Sequence, residues 1–356
     1  METCLQDGYA VSTHLDRLLR RFVFLFAVVI VSSYSFLSYW EYSKEFYLDP
    51  TGWSKLLQGH GTAPQQYRVG VLFVAHFLSA LTHGHLAMRH TLALLDLLFL
   101  VIGVVATFFM VARTRLYGEV SHVHRCALQF LALLLLLFYL SWTFWFHKPE
   151  TIANFASLSV AAVFLSGRLR IPAPVAAVGL LLVSIYLATI RADSGLALNI
   201  GVLLLALLPT GKALPLGRVL QGLAGGGGLI AVLGVEFYIK NVLYPSNRFS
   251  DPLFELLTNL KSPFTLYCVC IALAPYFLIV FLALRRWKTL EAWESALLVA
   301  SIVEFFIFMI LALADEVRLF MPYPMALLPS SAALLCRELT GVPSQRSKLE
   351  PVAAQL

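Results

Sequence analysis

The sequence predicts an all-α, polytopic integral membrane helical bundle of about 10 transmembrane helices, with an interfacial helix after the first external loop. Two observations predict it. Of the 356 residues, 59% are hydrophobic and 13% charged, with mean hydropathy +0.80, more apolar surface than a soluble core can absorb. Apolar runs of about 20 residues recur along the whole chain, and backbone in lipid must satisfy its own hydrogen bonds, which a helix does. The runs do not alternate, as the strands of a β-barrel would.

The first apolar run, 21–40, follows Arg17, Arg20 and Arg21 and reads as a retained signal anchor with a cytoplasmic N-terminus. Further spans are predicted over 91–112, 126–146, 152–167, 171–190, 195–210, 219–239, 263–284, 292–314 and 319–336. Residues 68–88 are undecided by hydropathy: the stretch APQQYRVGVLFVAHFLSALTHGHLAMRH (63–90) is apolar but carries Arg68, His76, His83, His85 and Arg89. Charge decides. If 68–88 does not cross, Lys and Arg divide 16 inside and 10 outside; if it does, the division reverses and violates the positive-inside rule. The segment is therefore expected to lie in the outer interface as an amphipathic or re-entrant helix, an eleventh span being the alternative.

One transmembrane domain over 1–356 results. It has an external loop with a juxtamembrane helix over 41–90, a second external loop over 240–262, and a polar cytoplasmic tail over 337–356. In LAGGGGLI (223–230), with Gly222 and Gly226 at GxxxG spacing, close helix packing is expected, with a hinge as the alternative. Pro322 and Pro324 in FMPYPMALLP (320–329) predict an unwound outer turn in the last span, and so a cavity. The five cysteines lack zinc-site spacing and read as packing residues without a disulfide. A net charge of +6 follows from cytoplasmic Lys and Arg, and no nucleic-acid motif is present, so no nucleic-acid partner is expected.

Ionisable groups in or beside spans are costly and mark candidate sites. The first loop begins YWEYSKEFYLDPTGW (39–53). Glu41 and Asp49 are candidate general bases there, since a carboxylate at the bilayer face among aromatics is partly desolvated; a solvated loop is the ordinary alternative. At DEVR (315–318), Arg318 is suited to a phosphate by paired hydrogen bonds, or else to an ion pair with Asp315 or Glu316. Glu304, in mid-span, must be neutral, paired or facing water. Arg68, His83, His85, His147, Lys148, Glu150, Arg191, Asp193, Glu236 and Lys240 are also assigned to the outer face. Glu236 and Lys240, at i,i+4, pair with each other on the ordinary reading. His83 and His85 with one carboxylate raise a divalent metal as an alternative to a plain polar face, and no other cofactor is indicated. No HExxH, GxSxG or phosphate-binding glycine loop is present.

A cytoplasmic N-terminus, one span and a long acidic external loop with a juxtamembrane helix together resemble the GT-C superfamily of membrane glycosyltransferases. APQQYRVGVLFVAHFL (63–78) is similar to a P-x-x-YR-hydrophobic segment of bacterial members. DEVRLFMPYPMALLP (315–329) is similar to the E-x-R-(x)n-P-x-P segment that opens their last span. The resemblance implies transfer of a sugar from a polyprenyl-phosphate donor to a glycan, lipid or protein acceptor, at the outer face of a bacterial inner membrane, with membrane lipid around it. It implies Asp49, then Glu41, as base or metal ligand, Arg318 near the donor phosphate, and Arg68 as the arginine of the YR pair. The chain departs from the family pattern in having no acidic doublet in the first loop, no C-terminal soluble domain and fewer spans than larger members. A transporter or flippase of lipid-linked or small polar substrates is the alternative, as are a scaffold and an envelope-glycan polymerase or ligase, the last on Arg191, Arg248 and Arg318.

Overall fold

The computed structural model describes the backbone of residues 2–44, 50–61, 67–113, 122–143, 147–208, 212, 214–245, 255–311 and 317–340. These residues form fourteen α-helices and no strand. In chain order they are α1 (Glu2–Glu41), α2 (Pro50–Leu57), α3 (Gly70–Leu81), α4 (Met88–Arg113), α5 (His122–Thr143), α6 (Pro149–Ser166) and α7 (Ala173–Leu207). Then come α8 (Arg218–Tyr238), α9 (Leu256–Lys261), α10 (Pro263–Ala272), α11 (Ala274–Arg285), α12 (Ala292–Leu311), α13 (Pro322–Ala326) and α14 (Leu328–Thr340). Seven helices are long and apolar enough to cross a bilayer, or eight with the bent α10–α11 pair, as in a multi-pass membrane protein.

Helix α7 is a hairpin. Arg191 leaves the helical region (φ −154°, ψ 82°), and Asn199 Nδ2 donates to Ser184 Oγ at 2.9 Å. In a continuous helix those residues would stand about 22 Å apart along the axis. The arms 173–190 and 192–207 therefore lie side by side. The two predicted spans share a turn of essentially one residue, where the sequence suggested a short loop.

Helix α3 has 12 residues, about 18 Å of rise against about 30 Å of hydrocarbon. It ends in a turn where His83 and Gly84 take positive φ, 51° and 79°. Its Phe77 and Leu81 face outward, while Val71, Leu72 and Ala75 pack inward.

Two large apolar cores hold the described residues together, beside a small third cluster of Ala283, Leu290, Leu298 and Leu334. One large core joins α1, α4, α5, α6, α10, α11, α12 and the final segment through residues such as Tyr34, Tyr139, Phe155 and Phe320. The other joins α3, α4, α6, both arms of α7, and α12 through Leu92, Leu158, Leu198 and Trp293.

Three local expectations change. The span predicted over 263–284 is bent by 58° between Ile271 and Ala274. Pro275 lies in the first turn of α11 and has no N–H to continue α10. The last span is broken rather than unwound. Residues 317–320 form a 3-10 turn, both prolines fall in the first turn of α13, where N–H groups need no helical acceptor, and the break comes at Leu327. Residues 319–334 are buried throughout, so this segment runs through the interior. In α8 the glycines at the contact are Gly225, facing the backbone of Leu203 and Asn199, and Gly228, facing the Asn199 side chain. Gly226 has open space above it, and Gly222 meets only Ala206 at 4.0 Å. The close approach thus uses i,i+3 positions, not the Gly222–Gly226 spacing.

One end of the bundle is tied by Arg168, on the Gly167–Arg170 turn after α6. Its Nη2 donates to both oxygens of Glu291, at 2.6 and 2.7 Å, and Nη1 donates to Met110 O of α4 at 3.2 Å. Glu291 also accepts from Trp293 Nε1, and Glu294 accepts from Ser330 of α14. Lys212 donates to Trp287 O, Leu290 O and Ser295 Oγ. These cations do more than set topology, which was all the sequence reading gave them. Replacing Arg168 with methionine is expected to cost about 2 kcal/mol, since it removes two charge-assisted hydrogen bonds from Glu291 and one hydrogen bond from the Met110 carbonyl. Lys44→Ala, whose ammonium pairs with Glu41 and is 63% exposed, is expected to cost under about 1 kcal/mol. Denaturant midpoints in detergent compare the two.

Candidate functional site

At the other end, five segments bring charged groups together. Tyr67 and Arg68 precede α3. Pro149 occupies the first helical position of α6, after an extended Lys148, and this puts Glu150 in the first turn, where a carboxylate favours the helix N-terminus. The α7 turn supplies Arg191 and Asp193. Helix α8 ends in a π-turn, Ile239–Leu243, that carries Lys240 beside Glu236. Glu304 comes from α12.

Arg191 is 1% exposed and its guanidinium is satisfied from two sides. Nε and Nη2 donate to the two oxygens of Asp193 at 3.0 and 2.7 Å, and the group lies 4.8 Å from the centre of the Phe308 ring. Asp193 also accepts from the Ser194 N–H at 3.1 Å. Ser194 is the hub beneath. Its hydroxyl donates to Glu304 and accepts from Asn154 Nδ2 at 2.8 Å, and its carbonyl accepts from Tyr323 O–H at 2.9 Å. Glu304 therefore sits at 2% exposure with a hydroxyl donor on one oxygen.

Above this layer is a recess of about 140 Å³ lined by Tyr67, Arg68, Ala188, Ala192, Asp193, Glu236 and Ile239. Arg68 Nη1 stands 3.8 Å from Glu150 Oε1, a charge contact longer than a hydrogen bond. Lys240 Nζ pairs with Glu236 at 2.5 Å and lies 5.3 Å from the centre of the Tyr67 ring. Phe237 and Tyr238 of α8 and Val242 of the π-turn are exposed beside the recess. Its volume is below the several hundred Å³ of sites that enclose a drug-sized molecule. It suits a small polar group whose remainder lies elsewhere.

No protein-family model, curated protein or solved structure matches the chain. The reading of the site therefore rests on its own residues.

Of the residues singled out in the sequence, Arg68, Glu150, Arg191, Asp193, Glu236, Lys240 and Glu304 belong to this assembly, with Glu304 beneath the recess. Lys148 holds the half-buried N-cap position of α6, next to Glu150. Glu41 ends α1 and pairs with Lys44 at 2.5 Å, so its carboxylate is bound to an exposed ammonium. Arg318 lies in the 3-10 turn 317–320, and its side chain is outside what the structure describes. Asp49, Asp315 and Glu316 lie outside the described residues. His83 and His85 sit in the exposed turn after α3, and no group of three His, Cys, Asp or Glu side chains fit to hold a metal occurs among the described residues.

The sequence reading missed Ser194, Asn154 and Tyr323 as supports of Glu304. It also missed a second buried polar cluster in which Asp96 and His147 meet, with Nε2 3.1 Å from Oδ2. The available signal was Asp96 itself, a carboxylate inside an apolar helix that requires a partner.

Proposed function

We propose that the chain is a GT-C-like membrane glycosyltransferase. It moves a sugar from a polyprenyl-phosphate donor to a glycan, lipid or protein acceptor at the end of the bundle that carries the recess, which faces outward under the positive-inside rule. The observation that carries this reading is the convergence of Arg68, Glu150, Arg191, Asp193, Glu236 and Lys240 around one small recess beside outward-facing aromatics. A lipid-linked sugar needs such a place, polar for the ring and phosphate and open to lipid for the tail.

In the reaction the acceptor O–H gives its proton to a carboxylate, and its oxygen bonds to the anomeric carbon. The bond from that carbon to the phosphate oxygen breaks, and the electron pair leaves with the lipid phosphate. Asp193 is a poor base, because Arg191 engages both its oxygens. The base in this reading is Asp49, with Glu41 next, and Arg68 and Arg318 offset the charge growing on the phosphate. Tyr67 offers a ring face to a sugar.

The test uses purified protein in lipid nanodiscs with candidate polyprenyl-phosphate sugars, reading free lipid phosphate. Wild type releases it. Asp49→Asn and Arg68→Ala are expected to slow release by about 100-fold or more while melting as wild type does. Absence of release with every donor, together with substrate movement across vesicles, would establish transport instead. The buried Glu304–Ser194 pair beneath the recess is the observation that favours that second reading. Against it, Phe308 and Tyr323 pack the interior beside that pair, both under 2% exposed.

A further inference from the structure

We infer that Asp96 and His147 form a buried ion pair, carboxylate against doubly protonated imidazolium, which acts as a clamp positioning the start of α6 and therefore Glu150 at the recess. The argument is a count of hydrogens. Thr143 has one hydroxyl proton and donates it to Leu140 O at 2.7 Å. Its oxygen, 3.1 Å from Tyr34 Oη, therefore accepts the Tyr34 proton. The Tyr34 oxygen lies 3.3 Å from His147 Nδ1; with its own proton committed, it accepts from that nitrogen. On the other side of the ring, Asp96 Oδ2 accepts from Tyr42 O–H at 2.8 Å and faces His147 Nε2 at 3.1 Å. One hydrogen therefore lies on Nδ1 and one more in the contact between Nε2 and Oδ2; we place the second on Nε2, because the Tyr42 O–H donated to Oδ2 favours the carboxylate form.

Burial makes the arrangement consequential. The side chains of His147 and Asp96 are 1% and 0% exposed, and Tyr34, Tyr42 and Thr143 are at 2% or less. A cation there is tolerable only against an anion, and an ionised imidazole explains how the Asp96 charge is balanced inside an apolar bundle. Among the described residues Asp96 Oδ1 has no hydrogen-bond partner, and His147 and Tyr42 both meet the carboxylate through Oδ2. The titratable groups facing the imidazole include Tyr34 and Tyr42 of α1 and Asp96 of α4. Glu150 follows on its own segment, three residues on, across the Pro149 helix start. His147 thus ties α1, α4 and the end of α5 to the first turn of α6, whose Glu150 faces Arg68.

The test does not depend on transferase activity. The full chain, labelled with [15N]histidine and held in lipid nanodiscs, is observed by NMR at neutral pH. The His147 ring is assigned by its loss in His147→Gln or by its contact with the Tyr42 ring, whose centre is 4.9 Å away. Both nitrogens should appear protonated, and Asp96→Asn should convert the ring to a neutral tautomer. A bare ring nitrogen in the wild type, or an unchanged ring in Asp96→Asn, overturns the ion pair. The clamp is read separately by the rate at which a membrane-impermeant thiol reagent labels Arg68→Cys. Adding His147→Gln should raise that rate several-fold, and an unchanged rate overturns the positioning role.

Discussion

Replacing Arg191 with alanine is expected to remove about 3 kcal/mol or more of folding free energy, a change of roughly a hundredfold in the folded-to-unfolded ratio. The guanidinium is the only part of the α7 turn able to satisfy two things at once. It neutralises Asp193 through two hydrogen bonds and fills the space over Phe308. Alanine leaves Asp193 charged with one remaining backbone donor, the Ser194 N–H, and opens a void beneath it. Asp193 retains 22% exposure, so water recovers part of the loss, which sets the figure at the low end for a broken buried pair. Lysine is expected to rescue little, because a point charge on a flexible stem cannot make the paired contact or stack on the ring. The combined Arg191→Met and Asp193→Leu replacement should recover much of the stability, since removing both charges strands neither. Denaturant midpoints of the four proteins in one detergent decide this. Equal destabilisation by the single and double replacements would mean the turn depends on these residues for something other than their charge pair.

That hairpin shows where sequence reading stops. Hydropathy located both arms, 171–190 and 195–210, because each is a long apolar run. It placed Arg191 and Asp193 at the same end as Arg68, Glu150, Glu236 and Lys240, because alternating spans put every second loop on one side. Spacing along the chain cannot show that Arg191 turns inward at 1% exposure while Glu236 and Lys240 remain partly open at 27% and 32%. That depends on which helices are neighbours. The same limit separates Asp96 from His147: 51 positions apart, they meet only because α1, α4 and the start of α6 pack together. At the opposite end, Arg168 and Lys212 looked like ordinary cytoplasmic charges. Their bonds to Glu291, Trp287 and Ser295 depend on the α11–α12 corner, which no local pattern encodes.

The glycines give the second large effect. Gly201 lies on the second arm of α7, where a Cβ would strike the backbone oxygen of Ala296 and crowd the Ala300 nitrogen on α12. Backbone atoms of a helix cannot step aside as a side-chain tip can. Valine at 201 therefore forces α7 and α12 apart along a contact that also carries Ser194 to Glu304. Overpacking of a close core costs about 1–3 kcal/mol where the surroundings yield, and rather more is expected here because they do not. Gly201→Val is accordingly expected to lose most of its folded yield and to melt well below wild type. Gly226→Val is the control. It changes the same residue type to the same side chain, in another apolar helix, but nothing lies within 4 Å of the added Cβ. Valine also suits a helix better than glycine does, so that protein should melt at or slightly above the wild-type temperature. The opposite order, with Gly226→Val the more damaged, would place the crowded face of α8 on the 222–226 side and exchange the packing assigned to these two helices. Because the α7–α12 contact supports Ser194 and Glu304 directly below the recess, Gly201→Val should also disturb the Arg68 environment. Gly226→Val should leave it unchanged, as read by the same thiol labelling of Arg68→Cys.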